Sequence, residues 1–217
     1  MTEKIEQRYI AVEGVIGVGK TTFATMLADR LNAELMLENG YDNPFLNDFY
    51  KDRKRYALSC QLYFLISRFQ QQRQLIGRDL FRHHVVTDYL FARDSVFASV
   101  TLNERELALY ERIAPHLQRD IPRPDLVIYL QATTPRLLSR VKKRNLALEK
   151  SIDSEYLDAL NKAYDYFFFH YSETPLLVIK TDEIDFVAEP RHFDDLVSIV
   201  SRPVAGRRYY TPPAENQ

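Results

Sequence analysis

Nine consecutive residues, Gly14-Val15-Ile16-Gly17-Val18-Gly19-Lys20-Thr21-Thr22, carry the types and spacing needed to hold a chain of phosphates: two glycines five apart, then Lys and Thr. Glycine at 14, 17 and 19 allows backbone turns that a Cβ blocks. Successive N–H groups can then converge on phosphate oxygens at the positive end of the helix that follows. Lys20 is expected to reach the terminal phosphates as a catalytic cation, and the Thr21 hydroxyl to ligate Mg²⁺. A glycine-rich turn with no ligand is the bland alternative. It is disfavoured by context, because the run Tyr9, Ile10, Ala11, Val12 precedes the loop as a strand and Phe23, Met26, Leu27, Leu31 follow at helical intervals. The expected ligand is a nucleoside triphosphate, with ATP as phosphate donor.

Two carboxylates stand at the ends of apolar runs. Glu38 closes Leu35-Met36-Leu37 ahead of Asn39-Gly40, and in transfer to an alcohol such a group orients the hydroxyl and takes its proton. Asp88 follows Val85-Val86-Thr87 and suits support of Mg²⁺, directly or through water. A solvated strand end for Glu38 and a helix cap for Asp88 are the alternatives. Gln61 and Arg68, seven apart on a helix predicted over Tyr56–Leu75, share one face two turns apart and can hydrogen-bond a planar heterocycle. Asp94, six residues beyond Asp88, can pair with Arg68 and fix its fork.

These residues need a frame that brings distant segments together. Short apolar runs alternate with longer helical ones, the pattern of an α/β fold with a parallel sheet covered on both faces. Five strands are expected: Tyr9–Glu13, Glu34–Glu38, His84–Asp88, Leu126–Leu130 and Leu176–Ile179. Thr134-Pro135 reads as a helix start. Ligands in such sheets collect at the carboxyl ends of the strands, where Glu13-Gly14, Glu38 and Asp88 fall. A stripe after the fourth strand, Arg136, Arg140, Lys143 and Arg144, has the spacing of a hinged basic segment; for Arg136 and Lys143 a solvated face is the better reading.

With 29 Lys+Arg against 30 Asp+Glu and a formal charge of -1, no global field recruits nucleic acid or a membrane surface. The single cysteine, Cys60, sits in an apolar helical run and reads as a buried inert thiol in a reducing compartment. No signal core, transit pattern or membrane-spanning run is present, so a soluble, cytoplasmic chain is expected. One domain over residues 1–203 is expected, with 204–217 as a mobile C-terminal tail.

From Ile10 to about Asp182 the sequence resembles the deoxynucleoside kinase family, the group that includes deoxycytidine, deoxyguanosine and deoxyadenosine kinases. Glu13-Gly14, the phosphate loop, Glu38, Tyr50, Gln61, Arg68 and Asp94 keep the family's order and intervals. The resemblance implies a three-layer fold with an arginine-bearing lid, and Glu38 as the base towards a 5′-hydroxyl. It implies Tyr50 on the sugar and Gln61 and Arg68 on the base with Asp94 paired to the arginine. Arg140 and Arg144 resemble catalytic lid arginines, and Glu149 the lid glutamate on the 3′-hydroxyl. It further implies a homodimer packed through helices, for which Tyr63, Phe64 and Phe69 offer apolar surface. Tyr89-Leu90 stands where the family more often has Arg-Ser, and Leu146 where another lid arginine is frequent; Arg93, four residues past Tyr89, is a replacement candidate. Retention of Arg68 and Asp94 leans towards purine deoxynucleosides, deoxyguanosine or deoxyadenosine. Two other readings stay open here: a thymidylate-type nucleoside monophosphate kinase, and a nucleotide-binding subunit without catalysis.

Overall fold

A computed structural model of the chain describes residues 7–38, 40–76, 84–182 and 184–210. Six strands, β1 (Tyr9–Glu13), β2 (Glu34–Met36), β3 (Val85–Thr87), β4 (Leu126–Gln131), β5 (Leu176–Lys180) and β6 (Arg207–Tyr210), form one sheet in the order β2-β3-β1-β4-β5-β6. Every neighbouring pair is parallel. All of β1 and β3 is buried, as is β4 except Gln131, which is why these strands read as unbroken apolar runs rather than alternating ones.

The sixth strand corrects the expectation of five and of a tail beginning at 204. Arg207 to Tyr209 are exposed on the sheet edge, so β6 has no buried face to give its sequence a pattern. It is held by main-chain pairing with β5 after a crossover through α8 (Pro190–Val200). Residues 211–217 lie outside the described residues, as does Asn39. The second and third strands are shorter than expected: past Met36 the ladder gives way to a side chain, Asp88 Oδ1 accepting the Glu38 N–H at 2.7 Å.

Register brings the strand ends together. Thr87 pairs with Ala11 on one side and Met36 on the other, so Glu13, Glu38 and Asp88 emerge at one edge of the sheet. Helix α1 (Lys20–Leu31) leaves that edge, burying Phe23, Leu27 and Leu31 against the sheet. At Gly17, φ is +87°, and a Cβ there would lie 2.7 Å from the Val141 side chain, so the loop can approach α6 (Thr134–Arg144) only as glycine. Pro135 sits in the first turn of α6 with Thr133, one residue earlier than the sequence suggested, as its N-cap. The opposite wall comes from α2 (Leu46–Lys51), α3 (Arg53–Ile76), a 3-10 turn over Phe91–Arg93, and α4 (Asp94–Thr101), with α5 (Glu104–Gln118) behind α3. Helix α7 (Ser154–His170) packs on α4 and α6, capped by Asp153, whose Oδ1 accepts the Tyr156 N–H at 2.7 Å.

Candidate active site

A cleft of about 1100 Å³, part of it open to solvent, lies over the carboxyl ends of β1, β2 and β3. Its walls include Gly17, Lys20, Thr21, Glu38, Tyr50, Gln61, Arg68, Asp88, Arg93, Asp94, Arg144 and Glu149. Sequence reasoning therefore named residues from six separate segments that the fold does gather.

At the loop end, Gly19 takes a left-handed conformation, φ +105°, and the chain turns directly into α1. Lys20 Nζ donates to the Val15 carbonyl at 3.3 Å. Thr21 Oγ1 donates to Asp88 Oδ2 at 2.6 Å, and the other Asp88 oxygen takes the Glu38 amide. Asp88 is thus no helix cap; it ties the phosphate loop to the end of β2. Thr21 and Asp88 present hard oxygen donors side by side, which suits Mg²⁺. Among the described residues no three His, Cys, Asp or Glu side chains are grouped to hold a metal by themselves. A divalent ion held by these two would need its remaining ligands from outside the protein.

The other end is a network of charged side chains. Glu38 pairs through Oε1 with Arg68 and through Oε2 with Arg93. Burial would push its carboxyl up, but the two guanidiniums outweigh burial and hold it down at about 2. Arg68 also pairs with Asp94, the partnership expected from sequence, and its guanidinium lies 4.9 Å from the centre of the Phe64 ring. Gln61 Nε2 donates to the Asp94 carbonyl at 3.0 Å and to its carboxylate at 3.2 Å. Burial pushes the Asp94 carboxyl up, opposed by Arg68; its Oδ2 is buried with no protein partner. Arg93 bridges Glu38 and Glu13, with Nη1 3.2 Å from Glu13 Oε1. Tyr89, in the position where the resemblance led one to look for arginine, is buried with its hydroxyl on Met36 Sδ at 3.4 Å.

On the lid side, Arg144 Nε donates to Glu149 Oε2 at 3.0 Å, and both line the cleft. Arg140 instead lies against the back of the loop, donating to the Val18 carbonyl at 3.0 Å and the Thr181 carbonyl at 2.8 Å. Arg136 and Lys143 are exposed, as a solvated face requires. Tyr63, Phe64 and Phe69 are half-buried, and Phe64 belongs to the cleft. Burial raises the Tyr50 phenol and keeps it a neutral donor. Burial also pushes the Cys60 thiol up to about 12, consistent with an inert group, and the Asn43 amide donates to its sulfur at 3.3 Å.

Sequence reasoning missed the aromatic lining and the role of Glu13. Phe64 falls three residues after Gln61 and four before Arg68, and Phe97 four after Arg93, so helical spacing alone places each beside its charged neighbour. Tyr156, edge-on to Phe49 at 6.4 Å and covered by the Arg53 guanidinium at 4.2 Å, carried no comparable signal, since its partners come from α2 and α3.

A profile of the deoxynucleoside kinases matches residues 10–205. The chain is 33% identical to a deoxyguanosine kinase of Bacillus subtilis over 197 residues, covering 88% of this chain and 95% of that protein. It is 39% identical to a deoxyadenosine kinase of Dictyostelium discoideum over 170 residues, covering 76% and 68% respectively. Among solved structures, the deoxyadenosine kinase of M. mycoides with bound dATP superposes with a TM-score of 0.79 at 25% identity, over 89% of this chain and 100% of that one. Given a profile match over residues 10–205 and relatives of that identity and coverage, the chain belongs to the deoxynucleoside kinase family and is a kinase of deoxynucleosides.

Proposed function

We propose that the chain transfers the γ-phosphoryl group of ATP to the 5′-hydroxyl of a purine deoxynucleoside, deoxyguanosine or deoxyadenosine. The observation that carries this reading is the Glu38 carboxylate, held between Arg68 and Arg93, on a residue whose main-chain N–H donates to Asp88, the acceptor of the phosphate-loop Thr21 hydroxyl. The N–H groups from Gly14 to Thr22 hold the triphosphate, and Lys20 leaves the Val15 carbonyl for its terminal oxygens. Thr21 and Asp88 would hold Mg²⁺, which would supply neutralisation of the phosphate charge. Glu38 is fully ionised at working pH and a weak proton acceptor, so its main work is to hold the 5′-hydroxyl in line; the proton passes to it late, as the new O–P bond forms. Glu149 takes the sugar 3′-hydroxyl together with Tyr50, releasing Arg144 towards the transferring phosphate. Arg140 anchors α6 to the loop, and as the second lid arginine exchanges carbonyls for phosphate on closure.

Purine preference is supported by the unpartnered Asp94 Oδ2, an acceptor for ring N–H or exocyclic amino groups, and by the deoxyguanosine and deoxyadenosine kinases among the relatives. Neither arginine near Glu38 has a fork free for an acceptor phosphate, since each is shared between two carboxyl groups, which argues against thymidylate. The same reading has the chain working in the cytoplasm as a homodimer packed through helices. Ile66, half exposed on α3, supplies apolar surface for that contact, and a monomeric mass by light scattering would overturn it. The test is Mg²⁺-ATP-dependent phosphorylation of the four deoxynucleosides and thymidylate side by side. Turnover led by deoxyguanosine or deoxyadenosine is expected; turnover led by thymidine or thymidylate would sink the assignment.

A further inference from the structure

Glu13, at the end of β1, is fully buried, and the reaction described above gives it no contact with donor or acceptor. Its carboxylate nevertheless touches three residues in two segments. Oε2 accepts the Gly14 N–H at 2.8 Å, the first residue of the phosphate loop. Oε1 accepts the Leu90 N–H at 3.0 Å, at the start of the turn that carries Arg93. The same oxygen lies 3.2 Å from Arg93 Nη1, while Arg93 Nη2 holds Glu38. A carboxylate in such a place is costly unless paired, and its neighbours Val12 and Ala11 show that the strand is otherwise packed with apolar side chains. Arg93 Nε is buried without a partner, so the two carboxylates and the face of Phe97 set where the guanidinium sits.

We infer that Glu13 is a positioning residue for the transfer step: by seating Arg93 it presents one guanidinium nitrogen to Glu38, and so links the first residue of the phosphate loop to the group that aligns the acceptor. The inference rests on the reaction proposed above. Without Glu13 the guanidinium is drawn onto the triphosphate or wholly onto Glu38, and in either place the acceptor carboxylate loses its alignment while the nucleotide remains bound.

A kinetic double-mutant cycle tests this with Glu13→Gln, Arg93→Ala and the double variant, measuring kcat and the KM for ATP with the best deoxynucleoside. Glu13→Gln is expected to lower kcat about ten- to hundredfold with the KM for ATP within about threefold of wild type, and to add less than about threefold in the Arg93→Ala background. An equal loss in both backgrounds, or a loss that appears as a raised KM for ATP, would overturn the inference and leave Glu13 as an anchor for Gly14 alone. Should Glu13→Gln not fold, Arg93→Lys reads the same claim. Lysine keeps the charge beside Glu13 but has one nitrogen and cannot bridge both carboxylates, so kcat should fall at least about tenfold with thermal unfolding unchanged. Full activity of Arg93→Lys overturns this inference alone, whereas wild-type protein silent on every acceptor overturns the reaction and this inference together.

Discussion

The two ends of the cleft are built on different principles. The donor end is main chain: nine contiguous residues whose glycines aim backbone N–H groups, with one lysine and one threonine added. The acceptor end is side chain: Glu13, Glu38, Arg68, Arg93 and Asp94 arrive from β1, the end of β2, α3 and the turn into α4, and each satisfies the charge of another. A backbone cradle depends on local conformation and tolerates change around it. A network of buried ions depends on every member, because removing one leaves its partner charged and unpaired.

That contrast can be broken from either side. Lys20→Ala strips the donor end of its one charged contact and should lower kcat by about 10³-fold with little change in stability, since its hydrogen bond is to the Val15 carbonyl and burial of its charge outweighs the attraction of Glu13, Asp88 and Glu38. Equal denaturation midpoints for mutant and wild type would bear this out. At the acceptor end Arg68→Ala should do the reverse in kind, destabilising the fold by about 3 kcal/mol because Asp94 is left buried without its guanidinium. Chemical denaturation that shows less than about 1 kcal/mol would mean that Asp94 is neutral in the folded state.

The acceptor network also has a pH signature. The Glu38 carboxyl is lowered from 4.5 to about 2 in the folded state, so its contribution is present above about pH 4.5 and is lost as pH falls towards 2. The integrated effect is about 3 kcal/mol. The stability gap between wild type and Glu38→Gln should accordingly be wider at pH 6 than at pH 3, and a gap that does not change would contradict the pairing. Smallest of all, Phe64→Leu removes the ring under Arg68 and should raise the KM for the nucleoside about fivefold, leaving the KM for ATP alone.

The same contrast explains what could be read from sequence. The conformation of the phosphate loop was legible because its residues are adjacent and the positive φ at Gly14, Gly17 and Gly19 is written in glycine. Glu38, Arg68, Asp94 and Gln61 were legible as candidates, and the Arg68–Asp94 pair as a pair, but not the double clasp on Glu38, which exists only once β1, β2 and β3 are in register. Arg93 could be suggested by its spacing from Tyr89, whereas its anchor Glu13 read only as the end of the first strand ahead of the loop, because its charge partner is eighty residues away. The sheet order was not legible, and β6 escaped because an exposed edge strand needs no apolar pattern.

The most direct test of the account is turnover by Glu38→Gln with the best deoxynucleoside, alongside its affinity for ATP. A glutamine between Arg68 and Arg93 keeps the shape but can neither attract the hydroxyl as an anion nor take its proton. The account predicts a loss in kcat of about 10²–10⁴-fold with ATP binding unchanged. Wild-type kcat in this variant would contradict it, and would place the alignment of the acceptor elsewhere in the cleft.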